Sequence, residues 1–248
     1  MSQKEAHYEN LVNRYDGIPM LSDERTQIWT VQQLKKLMSI DLNKHKCVDI
    51  GAGTCRIALL MTQSKDVAQP ITCVEPSSLI DTCEVPSEIR KLRMDALEFS
   101  AVRDIRYDRV WMTQVVHHLG DNMLTVFKNI RQQLNEGGMM CIDTRPMKCD
   151  YPWFQAATDA WNSMDENHIV DTLNHAGYLD VQMFERSLEH IVPVEDWIQM
   201  IRMRFFSNLA LLTDDDIEEG IREMKTDLLN GEDVVRLNDK HLFIVAKK

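Results

Sequence analysis

The chain has 248 residues, with 39 acidic against 28 basic groups, a formal net charge of −11, 44% apolar residues and 27% charged residues. This is a soluble globular composition, long enough to bury a core without disulfide or metal staples. The negative excess disfavours general binding to a phosphate backbone, and no apolar run approaches the roughly 18–20 residues that cross a bilayer.

The first residues, Met1-Ser2-Gln3-Lys4-Glu5, lack the apolar centre of a signal peptide, so a cytoplasmic location is expected. Residues 22–38 predict an amphipathic helix with Ile28, Val31, Leu34 and Leu37 on one face. Cys47-Val48-Asp49-Ile50 predicts a short strand ending at glycines, followed by a helix through Ile57 to Met61. Ile71-Thr72-Cys73-Val74 predicts a second strand, Leu92-Arg93-Met94 a third, Arg109-Val110-Trp111-Met112 a fourth and Met139-Met140-Cys141-Ile142 a fifth, just after Gly137-Gly138. Leu124, Phe127, Ile130 and Leu134 recur at helical spacing before that fifth strand. Strands alternating with helices imply parallel pairing through crossover connections.

After residue 150 come Trp153, Phe154 and Trp161, then a helix through Ile169, Leu173 and Ala176 that stops at Gly177. Val181 to Phe184 and His241 to Val245 predict two further strands. Two helices are expected between them. One carries Trp197, Ile198, Ile201 and Phe205; the other starts at Thr213, a good N-cap, with Asp214, Asp215, Asp216, Glu218 and Glu219 at the positive end of its dipole. The six cysteines, at 47, 55, 73, 83, 141 and 149, form no C-x-x-C pair and read as reduced thiols filling small apolar positions.

The most informative stretch is Asp49-Ile50-Gly51-Ala52-Gly53-Thr54-Cys55-Arg56, because it follows a strand and opens a helix. Gly51 permits a tight turn, and Gly53 lets the backbone approach a ligand closely. A dinucleotide fingerprint needs glycine or alanine where Arg56 stands, and no Gly-Lys-Ser/Thr follows, so neither an NAD site nor a P-loop is expected. Glu75, 22 positions after Gly53, ends the second strand, where a carboxylate can accept both hydroxyls of a ribose. Asp95, followed by Ala96, can accept an exocyclic adenine amine. Together these features sit at the C-terminal ends of successive strands, where open α/β sheets bind ligands.

Asp49-x-Gly51-x-Gly53, Glu75, Asp95-Ala96 and His117-His118-Leu119 together resemble the class I S-adenosylmethionine-dependent methyltransferases, most nearly the broad small-molecule group labelled type 11 or type 25. The resemblance spans residues 44–145, with a looser likeness through Gly177 and the last strand. It implies an α/β, Rossmann-like, seven-stranded and mostly parallel sheet in the order 3-2-1-4-5-7-6, its last strand antiparallel, with helices on both faces. It further implies one domain: an N-terminal helical cap segment over 1–43, a cofactor-binding core over 44–145, and a C-terminal part over 146–248 with inserted cap helices at about 194–230.

By the same resemblance S-adenosyl-L-methionine is the cofactor. Gly51 and Gly53, with Asp49 and Ala52, border its methionine part. Glu75, with Pro76, holds the ribose, and Asp95, with Ala96, meets the adenine. Gln114 lies beside the transferred methyl, touching either the cofactor or the acceptor. The family usually carries glycine where Cys55 stands, so either the thiol is accommodated or the site is degenerate.

His117 or His118 is the candidate base, since imidazole titrates near neutrality; the alternative is that His-His-Leu only caps the following turn. Tyr8 and Tyr15, with Arg145, Trp153, Trp161, Trp197, Met200 and Arg204, are the candidates for an acceptor pocket. Trp197, Met200 and Arg204 are expected on one helix face, and Arg145 and Arg204 could grip a carboxylate. No metal site, nucleic-acid partner or membrane partner is expected. There is no Asn/Asp-Pro-Pro-Tyr after the fourth strand and no Pro-Cys nucleophile. An arsenite acceptor would need convergent thiols, and only Cys55 and Cys149 stand in predicted loops. Three readings stay open: a small-molecule methyltransferase acting on O, N or S, a protein or peptide methyltransferase, and a non-catalytic cofactor-binding scaffold.

Overall fold

A computed structural model describes residues 24–63, 67–161, 165–227, 229 and 231–248. The described helices are α1 Glu24–Leu37, α2 Arg56–Thr62, α3 Ala96–Ala101, α4 Met123–Gln133, α5 Gln155–Asp159, α6 Glu166–His175, α7 Val194–Arg202 and α8 Asp214–Asp227. The strands are β1 Cys47–Ile50, β2 Ile71–Val74, β3 Ile89–Leu92, β4 Tyr107–Thr113, β5 Leu134–Thr144, β6 Leu179–Pro193 and β7 Val234–Lys247. They form one seven-stranded sheet in the order β3-β2-β1-β4-β5-β7-β6. Pairings from β3 through β5 are parallel, and β7 runs antiparallel to β5, as the resemblance implied.

The chain divides into two compact units. The larger contains residues 24–145, 165–186 and 241–248; the smaller contains 146–161 and 187–240. The end of β7, from His241, and the helix α6 thus belong with the larger unit, although the sequence analysis grouped them with the C-terminal part.

In the larger unit strand alternation explains the two apolar layers. Val48, Ile50, Val110, Met112, Met140 and Ile142 point to one face and pack with Phe99, Phe127, Ile130 and Leu173. Cys47, Cys73, Trp111, Cys141, Phe243 and Val245 point to the other and pack with Leu34, Met38, Ala58 and Met61. Both faces are covered, which is why these strands read as continuous apolar runs.

Several boundaries differ from expectation. The third strand lies at Ile89–Leu92, three residues earlier than predicted, because Asp95 is taken as the N-cap of α3. The β5 strand begins at Leu134 and runs through Gly137-Gly138, with Gly137 at φ +73° and an irregularity of register opposite Tyr107 and Arg109. The glycine pair expected just before the strand therefore lies within it, as a kink. Gly177 does stop α6, in the left-handed conformation at φ +89°.

The smaller unit has its own core: Tyr151, Trp153, Phe154, Trp197, Ile198, Phe206, Ile217, Ile221 and Met224 are buried together. Thr213 caps α8 as predicted, its hydroxyl accepting from Asp216 N–H at 3.2 Å while Asp216 accepts from Thr213 N–H at 2.9 Å. These bonds to Thr213 hold the exposed Asp216 carboxyl below its usual range. Gly220 in α8 has no room for a side chain, since a Cβ would lie 2.2 Å from the ring of Phe154. Gly220→Ala would gain about 1 kcal/mol of helix propensity but forces a buried ring to move, an overpacking cost of about 1–3 kcal/mol. A lowered urea midpoint is expected; an unchanged or raised one would show that Phe154 relaxes freely.

Candidate functional site

The C-terminal ends of β1, β2 and β4 meet at the glycine turn of the larger unit. Gly51 N–H and Ala52 N–H both donate to Val74 O, at 2.7 and 3.1 Å, which ties the turn to the end of β2. Gly51 sits at φ +75°, and a Cβ on it would lie 2.0 Å from Cγ2 of Val115. Only glycine lets this turn close against the segment after β4. Gly53 is different: at φ +52°, it has nothing within 4 Å of a notional Cβ, so its face is open. Its N–H donates to Glu75 Oε2 at 3.1 Å. The other carboxylate oxygen of Glu75 accepts from Ser77 N–H at 3.0 Å and Ser77 Oγ at 2.6 Å. Glu75 is therefore anchored across the turn.

Asp49 lies beneath this turn, fully buried on β1. Burial pushes its carboxyl up to about 8; the nearby Trp111 indole opposes the shift, while Cys55 and Glu75 add to it. Among the described residues Asp49 Oδ2 and Trp111 Nε1 make no hydrogen bond of ordinary geometry. Register explains why further polar groups gather there. Asp49 pairs with Trp111, and Thr113 pairs with Asp143, so alternation puts all four on one face of the sheet. Thr113 Oγ1, Gln114 Nε2 and Asp143 Oδ2 also lack a hydrogen-bond partner among the described residues. Gln114 itself is a non-glycine residue at φ +57°, held there as its N–H donates to Asp143 O at 2.8 Å. Buried polar atoms are rarely left unpaired, so such a row marks a place built for other partners.

The same edge holds a pair the sequence analysis missed. His241 Nδ1 and Asp143 Oδ1 are 2.7 Å apart, both residues buried, and the Trp29 ring packs 5.1 Å from the imidazole. The only signal for it was the polar end of the apolar β5 run, because ninety-eight positions separate the two residues.

The other predicted residues are placed as follows. Asp95 is exposed and N-caps α3 in a capping box with Glu98, accepting from Glu98 N–H at 2.7 Å. His117 and His118 occupy the 3-10 turn Val116–His118, their rings 3.9 Å apart. Arg145 is half-buried. Tyr8 and Tyr15 lie outside the described residues. Trp153 and Trp197 are buried in the smaller unit: Trp153 stacks on Tyr151 at 5.7 Å, and Trp197 Nε1 donates to Pro152 O at 3.4 Å. Trp197 and Met200 share the buried face of α7, but Arg204 does not, contrary to the expected i, i+3, i+7 row. The helix stops at Arg202, and Arg204 turns off it at φ +51°. Arg204 does grip a carboxylate, that of its own chain's Asp214 at 2.6 Å.

Comparison with known proteins follows this geometry. Residues 48–142 match the family described as a methyltransferase domain. An S-adenosylmethionine-dependent methyltransferase from Archaeoglobus fulgidus is 14% identical over 90% of this chain and 94% of its own, with a TM-score of 0.57. A candidate methyltransferase of an antibiotic biosynthesis pathway from Anabaena variabilis is 17% identical over 87% and 96%, with a TM-score of 0.64.

Residues 48–142 carry a methyltransferase domain, and the chain has the fold of S-adenosylmethionine-dependent methyltransferases.

A third similar structure is the phosphoethanolamine N-methyltransferase 2 of Haemonchus contortus in complex with S-adenosyl-L-methionine, 13% identical over 97% of this chain and 60% of its own, with a TM-score of 0.56. No curated protein matches the sequence. No helix among the described residues is long and apolar enough to cross a membrane.

The raised Asp49 carboxyl has a consequence for stability. The folded chain holds this proton up to about pH 8, whereas an unfolded chain releases it near 3.9. Stability supplied by the neutral form is complete below the unfolded value and is lost as pH rises through the folded one, by up to about 1.4 kcal/mol per pH unit. Asp49→Asn, which cannot ionise, should therefore gain thermal stability relative to the parent as pH climbs from 4 to 8. Parallel melting curves across that range would refute the assignment.

Proposed function

We propose that this methyltransferase transfers a methyl group from S-adenosylmethionine to a small-molecule acceptor at oxygen, nitrogen or sulfur. The observation that carries the reading is the row of buried, unpartnered polar atoms at the strand ends beside the open face of Gly53.

The residues fit the cofactor's chemistry. S-adenosylmethionine supplies an electrophilic methyl group on a sulfonium centre, so the chain need only bind, orient and exclude water. Asp49, with a free acceptor oxygen, suits an α-ammonium group, and Gln114 Nε2, with a free N–H, suits a carboxylate. Ala52 and Gly51 spend their own N–H groups on Val74, so they shape the turn and leave Gly53 as its approachable member. Glu75 and Pro76 are assigned to the ribose and Asp95 and Ala96 to the adenine. Glu75 is preorganised for that role by Gly53 and Ser77, which hold its carboxylate before any ligand arrives.

The turn after β4 carries Gln114, His117 and His118 within five positions. Where the acceptor must lose a proton, this turn is the proposed source of the base, and imidazole is suited to it near neutral pH. A small acceptor is supported by the acidic net charge of −11, which opposes nucleic acid. The Haemonchus contortus neighbour is likewise named for a small molecule, phosphoethanolamine.

Titration calorimetry with S-adenosylmethionine tests the reading, and absence of binding at millimolar ligand would overturn it. Glu75→Ala should weaken binding by about 1–3 kcal/mol, the cost of removing a part-buried hydrogen-bond partner. A screen of small-molecule acceptors read by S-adenosylhomocysteine production would then identify the acceptor atom. Turnover only on peptides would displace the small-molecule reading.

A further inference from the structure

The connection between β2 and β3 is tied to the end of β3 by two cationic side chains. The register of these strands runs from Ile71–Ile89 to Val74–Leu92, and Glu75 N–H then donates to Leu92 O at 3.1 Å. Past this bond the two segments part. Residues after β2 form a 3-10 turn, Ser78–Asp81, while residues after β3 lead to Asp95, the N-cap of α3. Arg93 spans the gap. Its Nη1 donates to Asp81 Oδ2 at 3.1 Å, and its Nε makes a longer contact, 3.5 Å, to Pro76 O. Lys91 Nζ donates to Cys83 O at 2.9 Å and holds the far end of the same connection.

The two sides of this connection are held differently. The inner side is fixed by packing: Leu79 and Ile80 are buried, and Thr82 donates its N–H and its hydroxyl to Leu79 O at 3.1 and 2.8 Å. The outer side is exposed at Pro76 and Asp81. Ser77 lies on this segment and donates both its N–H and its hydroxyl to Glu75 Oε1. Arg93 therefore closes the exposed side of the segment that orients Glu75. A charge on an edge strand also discourages pairing with other chains, and β3 is at the edge of the sheet. Any charge would serve that purpose. Gripping a carboxylate and a carbonyl together takes the forked donor set of a guanidinium.

We propose that Arg93 is a positioning residue for the ribose of S-adenosylmethionine, acting through Pro76, Ser77 and Glu75. The proposal rests on the assignment of Glu75 to the ribose. A carboxylate that is to accept from ribose hydroxyls binds more tightly when its orientation is fixed before the ligand arrives, because binding then spends less free energy on ordering it. Arg93 supplies this order from the strand that also leads to Asp95, so the ribose and adenine sides of the site keep one spacing. The Arg93 and Asp81 side chains are 55% and 57% exposed, which makes the effect modest and sensitive to salt.

Titration calorimetry of the full-length protein with S-adenosylmethionine tests the proposal. At low salt Arg93→Gln should weaken binding about two- to fivefold, the range for one exposed ion pair. Asp81→Asn should reproduce the loss, and the double variant should lose no more than either alone. The gap between Arg93→Gln and the parent should close as sodium chloride is added, which a general loss of packing would not do. In a Glu75→Ala background, Arg93→Gln should cost nothing further. Parent-like affinity of Arg93→Gln, a gap that salt leaves unchanged, or a full additional loss on top of Glu75→Ala would each overturn the proposal while leaving the Glu75 assignment standing. Unchanged affinity of Glu75→Ala, or no binding by the parent, would overturn that assignment and the role of Arg93 with it.

Discussion

Gly51 is the position on which the site depends. Its left-handed backbone and missing side chain bring the turn after β1 against Val115 and let two consecutive N–H groups reach Val74 O. That single close approach draws the ends of β1, β2 and β4 together. It also leaves Gly53 facing open space with its N–H on Glu75. A methyl group at Gly51 would push the turn away from Val115, and the carboxylate anchored across it would lose its place. The rest of the turn follows from this: Cys55 must begin α2 in a left-handed conformation because the chain has already been committed to the tight path.

The same edge of the sheet carries an energetic cost. Asp49 is buried in a layer otherwise made of cysteine, tryptophan and aliphatic side chains, and its carboxyl stays neutral to about pH 8. Desolvating a carboxylate outweighs what the neighbouring Trp111 indole returns. Thr113, Gln114 and Asp143 add further unpaired atoms within a few residues. A core built only for stability would not keep them, since each orphaned group costs about 1–3 kcal/mol. Under the proposed function, a zwitterionic, polyhydroxylated cofactor would offset such a cost.

The smaller unit solves a different problem. Its stability comes from aromatic packing: Trp153, Trp161, Trp197 and Phe206 surround Tyr151, with ring centroids 5.5–6.1 Å from it. On its surface Arg202 makes a two-pronged contact with Glu218 at 2.7 and 2.9 Å, and Arg204 pairs with Asp214. Part of the acidic excess at the start of α8 is thus locally balanced, so the net charge of the chain describes its bulk field better than it describes any binding surface.

Fold class was legible because it rests on local signals, apolar runs of fixed length and a glycine pattern between a strand and a helix, whereas strand order came from the resemblance carried by the glycine turn, Glu75 and Asp95-Ala96. Those signals need only neighbouring residues to carry meaning. The end of α7 before Arg204, the kink at Gly137 and the Asp143–His241 pair were not legible in this way. Each depends on which segments pack side by side. Asp143 and His241 meet because an antiparallel last strand returns beside β5. The sequence by itself determined the alternation of strands and helices and the glycine turn at a strand end. Tertiary structure alone decided which buried polar atoms share that edge, because strand register and close backbone approach are properties of the packed chain.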